Sequence, residues 1–125
     1  MKYLLDSNII IAAALASGDL LRQRLAMGDA DDFVTSAIVY AEVVHGSIRG
    51  KPPAFVALQA LIEEIPVLPF DQLAARSYAA LPFQRASYDR LIAAHTLALG
   101  LILVTDNVKH YADVSGLRVE NWTAA

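Results

Sequence analysis

Cysteine is absent from the 125 residues, which excludes disulfides, thiolate metal sites and thiol nucleophiles. No apolar run approaches the roughly 18 residues that a membrane-crossing helix needs, although 56% of the chain is hydrophobic and mean hydropathy is +0.42. A basic surplus is lacking too. Ten Lys and Arg stand against thirteen Asp and Glu, a net charge of −3, so attraction to nucleic acid has to come from local basic groups. Aromatics are sparse at 8% and do not alternate with basic residues as in a base-stacking platform. The first residues resemble an export signal in having a lysine, an apolar run and small residues, but Asp6 and Asn8 interrupt the run, so we expect no export and a cytoplasmic protein. There is no internal repeat, low-complexity tract or linker, which leaves one domain over residues 1–125. Its apolar surplus is enough for a buried sheet and an association surface, the latter suggesting a homodimer.

The most informative stretch is residues 87–107. Ser87 is a good helix N-cap, and Asp89 falls in the first turn, where the helix dipole favours a negative charge. Leu91, Ile92, Ala94, His95, Ala98 and Leu99 recur at helical spacing. Gly100 is placed to end the helix in a left-handed conformation. Residues 101–104 then run without a polar break, as in a strand covered on both faces, before Thr105, Asp106 and Asn107 open a loop. The helix start and the strand finish share one end of the unit. Asp89 and Asp106 therefore lie at the mouth of an α/β sheet, where such folds place ligands.

Elsewhere the pattern predicts strands over 2–5 and 33–35, a very short edge strand over 66–69 flanked by prolines, and a last strand over 117–121. Helices are expected from Ile9 to about Ala16, over 20–27, from the Ser36 cap to about Arg49, over 54–64, and from Asp71 to about Leu81. A link over 82–86 leads into the 87–100 helix, and a short turn or helix follows Asn107. Strands alternating with helices imply an α/β class: a short parallel sheet with helices on both faces, three layers in all.

Each acid has an ordinary reading: Asp6 as an N-cap, Glu42 as a solvated helix residue, Asp89 as a first-turn charge, Asp106 as a turn residue. Ser7 and Asn8 are able to cap in place of Asp6, freeing its carboxylate. Taken together the acids say more. Asp6 and Asp106 each follow a buried strand, and Asp89 starts the helix leading into the second. If those strands are neighbours, three carboxylates meet at one edge and cannot all ionise without a counter-charge. Lys2 and Lys109 are badly placed to supply it. A hard divalent cation with oxygen ligands, Mg²⁺ or Mn²⁺, solves the problem.

The segments LLDSN, AEVVHGS, YDRLIAAHTLALG, LVTDN and GLRVENW, in that order over residues 2–122, resemble the PIN domain. More narrowly, they resemble VapC-type ribonuclease toxins of type II VapBC toxin–antitoxin pairs. The resemblance implies a PIN-like α/β/α fold and a Mg²⁺-dependent endoribonuclease, with Mn²⁺ an alternative ion. It places Asp6, Glu42 and Asp89 in the metal site, with Asp106 as the acid after the LVT strand and Ser7 matching the hydroxyl after the first Asp. It further implies RNA as substrate and a VapB-like antitoxin whose C-terminal segment enters an apolar groove between the helices over 20–27 and 38–48 and reaches the acids. DNA would be contacted only through the antitoxin, and no membrane is involved. Two departures stand out: the stretch before Asp89 is short, and residues 108–111 replace the usual acidic-Phe ending.

In this reading water activated by the metal attacks the phosphodiester in line. Ser7 and Asn8 beside Asp6, and Arg85 and Arg90 flanking Asp89, are the candidate substrate contacts. His95 lies within a small-residue run and is expected to face packing rather than act as a base; Tyr88 is expected to pack as well. Two rivals fail on the residues: a phosphoacceptor receiver wants an acidic pair at the first strand and a haloacid-dehalogenase-type phosphatase a second Asp two residues on, where Ser7 and Asn8 stand. The remaining alternative is a non-cleaving PIN-like module that binds RNA or protein.

Overall fold

The computed structural model describes residues 1–82 and 84–124; Phe83, within the expected 82–86 link, and Ala125 lie outside the described residues. Five short strands, β1 (Tyr3–Leu5), β2 (Phe33–Ser36), β3 (Val67–Leu68), β4 (Ile102–Val104) and β5 (Arg118–Glu120), form one parallel sheet in the order β3-β2-β1-β4-β5. Six helices connect them: α1 (Ser7–Ala14), α2 (Asp19–Met27), α3 (Ala37–Ile48), α4 (Phe55–Glu64), α5 (Gln72–Ala79) and α6 (Tyr88–Leu99). Two 3-10 turns, Ala30–Asp32 and Val108–Tyr111, complete the described elements. Connections run from β1 out to β3, then back past β1 to β4 and β5. Right-handed crossovers in opposite directions fall on opposite faces, which accounts for the layered arrangement.

Why the central strands read as unbroken apolar runs is now plain. Leu4 and Leu5 are both fully buried, as are Leu103 and Val104, because helices cover both faces of the sheet. Ile9, Ile10, Val39, Leu58 and Ile92 bring the helices onto this core. The proline-flanked strand β3 pairs only with β2 and is an edge, as expected.

Local capping behaves as the residue types dictate, with one correction. Ser87 Oγ accepts from the Arg90 amide at 3.2 Å and starts α6; Gly100, at φ 68°, ends it. The first helix, however, begins at Ser7 rather than Ile9 and ends at Ala14. Asp6 itself is the cap: its carbonyl accepts from Ile9 and Ile10 and its Oδ1 from the Ser7 amide at 2.8 Å. Neither Ser7 nor Asn8 replaces it.

The register then positions the acids. Leu5 pairs with Val104, so Asp6 and Thr105 leave the sheet side by side, with the Asp6 amide donating to the Val104 carbonyl at 2.9 Å. Helices α1 and α3 begin directly where β1 and β2 end, and α6 begins at the same edge because it runs back toward the start of β4. First turns and strand ends thus crowd one edge of the sheet.

Candidate metal centre and active site

Asp6 is only 2% exposed. Burial pushes its carboxyl upward from the usual range and the charge of Asp89 adds to this, while hydrogen bonding to Tyr111, the Ser7 amide and Thr105 opposes the rise. The Tyr111 hydroxyl lies 2.8 Å from Asp6 Oδ2. The same hydroxyl is 3.2 Å from Asp89 Oδ1. One phenol therefore joins the end of β1 to the first turn of α6. Burial and the two carboxylates together push the phenol far above the ordinary tyrosine range, so it stays protonated.

Glu42, on the second turn of α3, joins the group through electrostatics. Burial raises its carboxyl first, and the charges of Asp6 and Asp89 raise it further, against hydrogen bonding from the Ser7 side chain. Its Oε1 is buried and, among the described residues, has no hydrogen-bond partner. An orphaned carboxylate oxygen in a group of like charges is a position of high free energy. A hard cation is the natural occupant: every donor offered is an anionic oxygen, and the ion would relieve the repulsion as well as the missing bond. The donor set fits Mg²⁺ or Mn²⁺ in kind. It is not yet closed in geometry, since among the described residues no three acidic or histidine side chains stand close enough to share an ion. The Tyr111 hydroxyl lies between two of them.

Asp106 does not join this group. It is exposed two residues beyond the β4 end, its amide donates to Asn8 Oδ1 at 3.1 Å, and it borders a shallow depression with Asn107, Val108, Lys109 and His110. The residue that the strand register puts beside Asp6 is Thr105, fully buried, with its Oγ1 accepting from the Asn107 amide at 3.1 Å and from Asn8 Nδ2 at 3.3 Å.

Three of the expected substrate contacts have partners inside the protein. Asn8 binds Thr105 and the Asp106 amide, so its amide group stitches α1 to the end of β4. Arg90 is 8% exposed; its guanidinium donates to the Pro82 carbonyl at 2.7 Å and to Gln84 Oε1 at 3.0 Å, with Asp113 at 3.6 Å. A fork whose donors are committed inside the protein is not free to grip a phosphate. Ser7 bears on Glu42. Arg85 alone remains exposed, at the rim of a depression of about 430 Å³.

Tyr111 and His110 are the residues that pattern reading missed. His110 Nδ1 lies 3.1 Å from Asp89 Oδ2, so two consecutive residues of one 3-10 turn hold both oxygens of Asp89. The signal was present only as a departure from the acidic-Phe ending. His95 behaves as expected and packs: it is 1% exposed, with Phe70 edge-on at 5.4 Å. Tyr88, expected to pack, is 52% exposed instead, because the first turn of α6 projects at the sheet edge.

The profile of the PIN domain matches residues 3–116 of this chain. Among curated proteins, the chain is 26% identical to the "tRNA(fMet)-specific endonuclease VapC" of Shigella flexneri, over 98% of this chain and 99% of that protein. It is 29% identical to "Ribonuclease VapC1" of Haemophilus influenzae (strain R2866), with the same two coverages. Among solved structures, it superposes with a TM-score of 0.85 on a chain from VapBC2 of Rickettsia felis bound to a DNA fragment from their promoter, at 26% identity and covering 98% and 99% of the two chains.

Proposed function

Since the chain belongs to the PIN-domain family, we propose that it is a VapC-type endoribonuclease, the toxin of a type II toxin–antitoxin pair, hydrolysing RNA phosphodiester bonds with a divalent ion held by Asp6, Glu42 and Asp89. The observation that carries the site is the joining of Asp6 and Asp89 through the Tyr111 hydroxyl, beside a Glu42 oxygen that lacks a partner. Unpaired acids crowded together destabilise a protein that makes no use of them, which favours cleavage over a module that only binds.

Mg²⁺ is the expected ion, Mn²⁺ a substitute; when bound, it supplies an acidified water and neutralises charge on the phosphate. The remaining work belongs to the chain. The Ser7 amide, Thr105 and Tyr111 orient Asp6 and favour its ionised form against the effect of burial; His110 and Tyr111 orient Asp89. Asp106 sits at the rim, where it would act through water rather than directly. Arg85 is the candidate phosphate contact, giving register without sequence information. Water as nucleophile leaves a 5′-phosphate and a 3′-hydroxyl.

The partners follow from the same reading. A VapB-like antitoxin is the expected inhibitor, and promoter DNA would be reached through it. A second copy of the chain is the expected oligomeric partner. Large apolar side chains left in solvent on α2, α3 and α4, among them Met27 at 82%, Ile48 at 71% and Val56 at 81% exposed, support such association. The proposed place of action is the cytoplasm. Among the described residues no helix is long and apolar enough to cross a membrane.

The test is cleavage of initiator tRNA and of a mixed RNA pool with Mg²⁺, with chelator, and with Asp89→Asn. Metal-dependent products bearing 5′-phosphates are expected. Products ending in 2′,3′-cyclic phosphate, or full activity in chelator, would overturn the proposal.

A further inference from the structure

Tyr111 is 2% exposed at the end of the Val108–Tyr111 turn, and its hydroxyl occupies the gap between two carboxylates. It stands 2.8 Å from Asp6 Oδ2 and 3.2 Å from Asp89 Oδ1. A phenol has a single proton to donate, so it relieves the repulsion of this pair only in part. The outer oxygens are held separately, Asp6 Oδ1 by the Ser7 amide at 2.8 Å and Asp89 Oδ2 by His110 Nδ1 at 3.1 Å. Thr105 adds a hydrogen bond to Asp6, and between the two inner oxygens stands the phenol. Among the described residues no three acids or histidines stand close enough to share an ion as arranged, so closing on a cation requires something in this gap to move.

From this geometry we infer that the Tyr111 hydroxyl is a place-holder: it occupies, between Asp6 and Asp89, the position a divalent cation takes, and the cation enters by displacing it. The inference rests on the metal-site reading above and adds a competitor to it. Whatever the hydroxyl contributes to the protein without metal is subtracted from the affinity for the ion, since a ligand gains only from the difference between two states. Phenylalanine keeps the ring in the core and removes the competitor. Tyr111→Phe therefore binds metal more tightly while being less stable without it. Deleting a hydrogen bond that merely supports a metal ligand does the reverse, weakening affinity about 10–100-fold.

The experiment is Mn²⁺ titration by calorimetry of the full chain as wild type, Tyr111→Phe and Asp89→Asn, with thermal unfolding in chelator. We expect Kd for Mn²⁺ to fall about five- to tenfold in Tyr111→Phe, the equivalent of one hydrogen bond, and the chelator melting temperature to fall by roughly 3–5 °C. As a second measurement, 3-fluorotyrosine placed at position 111 of the otherwise unchanged chain should show its ¹⁹F resonance shifted by Mg²⁺, even if the phenylalanine variant folds poorly. Unchanged or weaker Mn²⁺ binding in a folded Tyr111→Phe, or a ¹⁹F resonance unmoved at saturating Mg²⁺, overturns the place-holder while leaving the metal site intact. If wild type and Asp89→Asn take up Mn²⁺ equally, or wild type takes up none, the metal-site reading falls and the place-holder with it.

Discussion

The Ser36 hydroxyl and His95 Nδ1 lie 2.7 Å apart, 59 residues distant in the chain. Ser36 caps α3, accepting from the Ile38 amide at 3.0 Å, and His95 sits mid-way along α6. The Pro69 backbone beyond β3 also faces the imidazole, favouring its charged form. The contact between Ser36 and His95 fixes the helix that carries Glu42 against the helix that carries Asp89.

That arrangement predicts acid sensitivity. Burial lowers the His95 pKa from its usual value, the charge of Asp71 and the Pro69 carbonyl opposing the fall. The folded protein thus prefers the neutral ring. Its contribution is complete above the unfolded pKa of about 6.5 and is lost as pH falls from there toward the folded pKa. Urea midpoints at pH 7.5 and pH 5.5 should differ more for wild type than for His95→Gln, which does not titrate. Equal differences would contradict the assignment.

Glu42→Gln addresses the orphaned oxygen. A raised carboxyl pKa means the folded state favours the neutral form, so the ionised group destabilises at pH 7 and ceases to do so as pH falls through the folded pKa. The amide is neutral throughout. In chelator the variant should melt higher than wild type by roughly 3–5 °C, while RNA cleavage in Mg²⁺ drops about 100-fold or more. A lower melting temperature in chelator would mean that Glu42 has partners the geometry does not show.

The two arginines near Asp89 should separate cleanly. Arg90→Lys loses the fork that holds the Pro82 carbonyl and Gln84, and a buried charged hydrogen bond is worth about 1.5–3 kcal/mol. Chemical denaturation should read a loss of that size. Arg85 is exposed and has no side-chain hydrogen bond among the described residues, so Arg85→Ala should leave stability unchanged and reduce the salt slope of RNA binding by about 1. If Arg85→Ala leaves that slope alone, it makes no phosphate contact.

Gly100→Ala isolates backbone strain. A Cβ there meets nothing within 4 Å, yet φ is +68°. The loss should be about 1 kcal/mol by equilibrium unfolding, with metal binding unaffected because Gly100 lies at the far end of α6 from Asp89.

Order and type of the elements were readable from the chain because each rests on contacts a few residues long. Ser87 capping α6, Gly100 closing it, the proline-bound edge strand and the two-sided burial of residues 101–104 all follow from local periodicity and stereochemistry. Candidate acids were readable for the same reason, each standing at an element boundary. Which acids meet was settled by pairing. Setting Leu5 beside Val104 brings Thr105, rather than Asp106, next to Asp6. The turn at Val108–Tyr111 then delivers a hydroxyl across 105 residues to Asp6, and the Pro82 carbonyl and the Gln84 side chain consume Arg90. No short-range pattern encodes such contacts, because strand register and loop docking depend on how the whole core closes.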